Sequence, residues 1–199
     1  MLVIFDVDGV LVDSEPISLR ELTRAINELG VRMTQSDVEH AFKGGTLEGV
    51  RRGVEERKAG PVPDSFVEQF VQRRDQAFRD ELRAIPGARE AVEGVRREGH
   101  DVCVASQGRV EKTRFTLGLT GLLEAIDDDA IFSATMVPRP KPAPDLFVHA
   151  AATRGFEPGD CVVVEDTETG VAAANAAGMR VLHYGRDFHD MREVPRLLR

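Results

Sequence analysis

The first five residues, Met1-Leu2-Val3-Ile4-Phe5, are apolar without a break, and the run is too short for a helix before Gly9 closes it. It reads as a fully buried strand over residues 2–6. Two carboxylates one residue apart, Asp6 and Asp8, stand at its end. Like charges there repel, and carboxylates so placed hold a cation or divide acid and nucleophile roles, because their surroundings push their pKa values apart. If the strand continued through Asp8, both side chains would lie on one face and point into one crevice. The same residues also suit an ordinary polar turn, since Asp and Gly favour turns for local reasons.

After this strand, residues 14–81 read as helices only. Leu19, Leu22, Ala25, Ile26 and Leu29 form one apolar stripe that Gly30 ends, and further helical patterns cover residues 35–42, 46–58 and 64–82. Gly44-Gly45 and Gly60-Pro61-Val62-Pro63 separate them. From Ile85-Pro86-Gly87 onward the pattern alternates helices with short β-branched runs, the signature of a parallel sheet with crossover helices. Strands are expected at 101–105, 130–133, 161–165 and 180–184, with helices at 87–98, 108–118, 144–154 and 168–177. The expected fold is therefore α/β: a Rossmann-like parallel sheet core of about five strands, residues 1–13 and 82–199, with a small α-helical cap, residues 14–81, inserted after the first strand.

Composition narrows the function classes. A length of 199 residues suits one core carrying an insertion, and the apolar share of 42% with a charged share of 30% is that of a soluble globular protein. No apolar stretch is long enough to span a bilayer, and Met1 opens directly into a strand, so neither a membrane nor a secretory signal is expected. The net charge of −8 argues against nucleic acid as a partner. Cys103 and Cys161 each sit in a Val-rich run and read as buried thiols of a cytoplasmic protein. The five histidines show no metal-ligand pairing, and oligomeric state is left open by the surface pattern.

In open α/β sheets ligands bind at the carboxyl ends of the strands, and those ends carry a consistent set here. Strand 1 ends in Asp6 and Asp8, strand 101–105 in Ser106-Gln107-Gly108-Arg109, and strand 161–165 in Glu165-Asp166, with Pro140-Lys141-Pro142 between them. Converging carboxylates make a hard oxygen site suited to Mg²⁺. With a lysine and a hydroxyl they cradle a phosphoryl group, the loop N–H groups before helix 108–118 adding donors. Singly, each part has a plainer reading: Ser106 and Asp166 or Thr167 as helix N-caps, Lys141 as a loop charge. The prolines flanking Lys141 restrict where its ammonium points, and Gly170 with the alanines after it lets a helix lie close to the sheet.

Taken together, Asp6-Val7-Asp8-Gly9-Val10, Ser106, Lys141-Pro142 and Glu165-Asp166-Thr167-Glu168-Thr169-Gly170 resemble, in order and spacing, the four signatures of the haloacid dehalogenase-like (HAD) hydrolase superfamily. More narrowly, the helical insert, the Lys-Pro-x-Pro-Asp run and the Glu-Asp-x-x-x-Gly-x-x-Ala-Ala run are similar to the phosphatase and β-phosphoglucomutase branch. The resemblance implies that Asp6 attacks phosphorus to form an aspartyl-phosphate, while Asp8 protonates the leaving alcohol and then activates water. It further implies Mg²⁺ held by Asp6, the backbone carbonyl of Asp8 and Asp166, with Glu165 in support. Ser106 and Lys141 would bind phosphoryl oxygens, and Lys141 would keep Asp6 ionised. The expected partner is a small phosphorylated metabolite.

Departures and rivals sharpen this. Val10 stands where Thr is commoner and Gln107 where Asn is frequent, yet neither removes a reacting group. Ser18 stands near where the mutase branch presents a cap histidine, which favours a phosphatase over a phosphosugar mutase. A dehalogenase has no need of Asp8, and a phosphonate hydrolase needs a Schiff-base lysine in the cap. A receiver-type phosphorylation switch would place its phospho-accepting Asp on a middle strand and carry no insert after strand 1. Lys43, Gly44 and Gly45, with Gln107 and Arg109, are the candidate substrate contacts, Lys43 reading equally well as a solvated loop lysine; Arg51 adds to the polar faces of the cap.

Overall fold

The computed structural model describes residues 1–42 and 45–199. They form two compact units, Met1–Asp13 with Arg83–Arg199, and Ser14–Leu82. The chain opens with β1 (Leu2–Phe5), every residue of which is buried. It then enters the second unit, made of α1 (Glu15–Glu28), α2 (Gln35–Phe42), α3 (Leu47–Lys58) and α4 (Phe66–Glu81). Ile26, Val38, Val50, Val54, Phe66 and Phe70 form the core of that unit. Thr46 caps α3 by accepting a hydrogen bond from the Gly49 N–H at 3.1 Å.

Back in the first unit, the chain continues as α5 (Ala88–Arg97), β2 (Asp101–Ser106), α6 (Val110–Leu119), β3 (Ile131–Ser133), α7 (Asp145–Arg154), β4 (Cys161–Glu165), α8 (Glu168–Ala176), β5 (Arg180–His183) and α9 (Val194–Leu197). Where the chain leaves and re-enters this unit its two lengths are laced together. The Asp13 N–H donates to the Arg83 carbonyl at 3.0 Å, the Ile85 N–H donates to the Leu11 carbonyl at 2.9 Å, and Val12 faces Ala84 in an antiparallel bridge.

All five strands run parallel in the order β3-β2-β1-β4-β5, as an α/β chain of alternating helices and apolar runs requires. Phe5 stands opposite Val104 on one side and Val164 on the other. The chain builds β2 and β3 to one side of β1, then returns to lay β4 and β5 on the other. The carboxyl end of β1 is therefore the switch point at which sheets of this kind bind ligands.

Two boundaries differ from expectation for a local reason. β1 stops at Phe5, because residues 7–12 fold back on themselves: the N–H groups of Leu11 and Val12 both donate to the Val7 carbonyl. A further ladder bond forms from the Asp6 N–H to the Val164 carbonyl at 2.9 Å. α6 starts at Val110 and not 108, because the Gly108 N–H donates to Ser106 Oγ at 3.0 Å. Cys103 and Cys161 are buried and free, and among the described residues no helix is long and apolar enough to cross a membrane.

Candidate active site

Parallel pairing brings Asp6, Ser106 and Glu165 to the same end of three adjacent strands, with Asp166 one residue beyond. Lys141 enters from the loop between β3 and α7. It is almost fully buried, and its ammonium donates to Asp6 Oδ1 at 2.6 Å, Glu165 Oε1 at 2.8 Å and the Ala105 carbonyl at 3.1 Å. All three of its protons are thereby used. The Phe147 ring lies 4.7 Å from the same nitrogen. Burial works against this ammonium, but Asp6 and Glu165 outweigh it and raise its pKa.

Two buried carboxylates share that one ammonium, which leaves an excess of negative charge. Burial pushes the Asp6 carboxyl up to about 8; Lys141 opposes the rise, while Glu165 and Asp8 add to it. Glu165 is fully committed. Its Oε1 accepts from Lys141, and its Oε2 accepts from the Thr167 N–H at 2.7 Å and the Thr167 hydroxyl at 2.8 Å. Thr167 in turn caps α8, accepting from the Gly170 N–H at 3.1 Å. A Cβ at position 170 would overlap the Glu165 carboxylate, so glycine is what lets α8 start against it.

Asp8 behaves differently from Asp6. The pair was expected to share one face, but with β1 ending at Phe5 the two side chains meet different lysines. Asp8 Oδ1 forms an ion pair with Lys112, on the first turn of α6, and both side chains are partly exposed, 22% and 18%. Gly9, next along, has φ +87°, and a Cβ there would overlap the Asp166 carboxylate. Asp166 thus lies directly against the backbone that follows Asp8. The His183 ring Nε2 is 3.2 Å from the Asp166 carbonyl, an N–H donor in the tautomer that satisfies this acceptor.

Ser106 is buried at the end of β2 and accepts from Gly108; it is not the N-cap of α6, a position that Arg109 occupies. Ser133, at the end of β3, donates from its hydroxyl to the Gly108 carbonyl at 2.7 Å and so fixes the same loop. Gln107, expected to meet substrate, turns its amide to the Lys141 backbone: Oε1 accepts from the Lys141 N–H at 3.2 Å and Nε2 donates to the Lys141 carbonyl at 3.5 Å. Arg109 is exposed. Gly45 is exposed in the helical unit, and Lys43 and Gly44 lie outside the described residues. Lys112 was not singled out from the sequence; the available signal was its place in the first turn of the helix that follows Ser106.

Among the described residues no three carboxylate, imidazole or thiolate side chains cluster closely enough to hold a metal on their own. Glu165 in particular has both oxygens engaged, which sets it apart from the metal-supporting role expected of it: it holds Lys141. The donor set does fit Mg²⁺, an ion that keeps several waters and takes one or two carboxylates plus substrate phosphate. Asp6 and Asp166 supply carboxylates, the Asp8 carbonyl is the neighbouring oxygen, and the surplus negative charge around Asp6 calls for a cation.

The family model for haloacid dehalogenase-like hydrolases matches residues 3–184. The chain belongs to that family. Among curated HAD relatives, 6-phosphogluconate phosphatase of Escherichia coli (strain K12) is 31% identical over 190 residues, covering 94% of this chain and 84% of that protein. The Arabidopsis thaliana chloroplast protein SUPPRESSOR OF QUENCHING 1 is 37% identical over 189 residues, covering 90% of this chain, which spans only 17% of that longer protein. A HAD family hydrolase from Deinococcus radiodurans R1, solved with bound phosphate and sodium, superposes with a TM-score of 0.72 at 31% identity, over 90% of this chain and 78% of that one.

Proposed function

We propose that this HAD-like phosphoric monoester hydrolase is Mg²⁺-dependent, acts on a small sugar phosphate or related metabolite, and works through an aspartyl-phosphate on Asp6. The observation that carries the reading is Asp6 itself: buried at the end of the central strand, with one carboxylate oxygen fixed by Lys141 at 2.6 Å. Locking Oδ1 aims Oδ2, which forms the bond to phosphorus as the bond from phosphorus to the ester oxygen breaks. Asp8 gives its proton to the departing oxygen, then takes one from the water that cleaves the phosphoenzyme. Ser106, with its Oγ already accepting from Gly108, offers its hydroxyl proton to a phosphoryl oxygen, and the N–H groups of Gln107, Arg109 and Val110 add further donors. Bound Mg²⁺, held by Asp6, Asp166 and the Asp8 carbonyl, would neutralise charge on the phosphoryl oxygens.

The substrate class takes its support from the name of the Escherichia coli relative. The helical unit, inserted between Asp13 and Arg83, is assigned the role of a cap, and the two free cysteines support a cytoplasmic location. The test is turnover of a phosphometabolite panel with Mg²⁺, glucose 1-phosphate included. Phosphate release that EDTA stops, together with acid-stable labelling of the wild type and none in Asp6→Asn, is the expected result. Glucose 6-phosphate formed without free phosphate would overturn hydrolysis in favour of a mutase. Labelling without release would indicate a switch.

A further inference from the structure

We infer that Lys112 is a positioning residue for the acid and base of the reaction: it orients the Asp8 carboxyl so that Oδ2 meets the leaving oxygen of the ester. The inference rests on the proposed division of labour between Asp6 and Asp8. Its basis is a group that the reaction scheme leaves unused. Lys112 lies far from Asp8 in sequence, yet its ammonium pairs with Asp8 Oδ1.

The geometry around Lys112 is built to direct it there. Its stem passes over Gly108, where a Cβ would stand 3.1 Å from Lys112 Cδ and 3.3 Å from Ser106 Oγ. That glycine is held in place by two bonds, its N–H to Ser106 and its carbonyl from Ser133. The first turn of α6 therefore reaches from the loop that follows Ser106 to the carboxyl of Asp8. A partly exposed side chain such as Asp8 has rotamers to lose, and a cation on one oxygen fixes the plane of the carboxyl. With Oδ1 held by Lys112, the direction of Oδ2 is set as well, and Oδ2 carries the proton that passes to the ester oxygen as the bond to phosphorus breaks.

A positioning role of this kind has a signature that a merely structural lysine lacks. Help with proton donation matters more as the leaving alcohol becomes more basic, whereas p-nitrophenolate departs without a proton. The experiment compares kcat/KM for p-nitrophenyl phosphate, phenyl phosphate and glycerol 3-phosphate in wild type, Lys112→Met and Lys112→Arg, with each rate divided by the folded fraction from thermal melting. Lys112→Met is expected to leave p-nitrophenyl phosphate nearly unchanged and to lose roughly tenfold or more on the two poorer leaving groups. Lys112→Arg, which keeps a cation for Oδ1, recovers most of that loss.

Equal losses on all three esters would overturn the inference, because they would mark Lys112 as a contact for the phosphoryl group common to them; no loss on any ester would overturn it as well. Asp8→Asn, measured beside them, separates this inference from the reading beneath it. If Asp8→Asn is inactive and Lys112→Met is unaffected, only the role of Lys112 fails. Full activity in Asp8→Asn removes the acid and base assignment itself.

Discussion

The end of β1 carries two carboxylate and lysine pairs two residues apart that live in different media. Asp6 and Lys141 have side-chain exposures of 9% and 1%, whereas Asp8 and Lys112 have 22% and 18%. In the first pair desolvation is the dominant fact, and each ion depends on its partner to remain charged. In the second, water screens the attraction, so the contact orders a side chain without supporting the fold. The proposed nucleophile, Asp6, has the first setting, where a fixed orientation outweighs mobility. The proposed acid and base, Asp8, has the second, where a proton can be exchanged with solvent.

The contrast breaks most visibly at Lys141. Lys141→Met strands Asp6 and Glu165 in a buried site, and a loss of about 3–5 kcal/mol in denaturant unfolding at pH 8 is expected, together with loss of phosphatase activity. A loss below about 1 kcal/mol would mean that the buried pair is no more demanding than a surface one.

Next in size is a pH effect in the metal-free protein. Asp6 has a folded pKa of about 8 against an ordinary value of 3.8, so between those values the folded state binds more protons than the unfolded chain. Stability should then fall as pH rises from about 4 to 8, the contribution of Asp6 protonation being fully present below this window and lost above it. Asp6→Asn should flatten that slope, as should saturating Mg²⁺ in the wild type; chemical denaturation across the pH range measures both. A slope of the opposite sign would mean that Lys141 dominates burial at Asp6.

The smallest expected effect is on the other lysine. Lys112→Met should change unfolding free energy by no more than about 1 kcal/mol, since its pair is partly exposed to water. If it cost as much as Lys141→Met, the distinction between the two media would collapse.

Much of this architecture was legible in the sequence, and the parts that were not share a cause. The five strands announced themselves as short apolar or β-branched runs because parallel strands are buried on both faces, and the site residues are those that follow such runs. The curl of residues 7–12 back onto Val7 was not legible, because it depends on which carbonyl the loop N–H groups find. Nor was Lys112: its partner is 104 residues away, and only the pairing of β1 with β2 brings α6 beside Asp8. The partner of Gln107 was hidden for the same reason. Its position after Ser106 pointed to substrate, and only the fold shows that its amide reaches the Lys141 backbone.

The laced segment at Leu11–Asp13 and Arg83–Ile85 bears on how such a protein diversifies. Because its hydrogen bonds close the α/β unit at the point where the chain departs, everything between Asp13 and Arg83 hangs from what is in effect the open end of a hairpin. The bonds that set the register of Asp6, Ser106 and Glu165 all lie on the α/β side of that closure. The part of the molecule free to vary and the part that must not are thus joined at a seam, and selection can rewrite one while leaving the other alone.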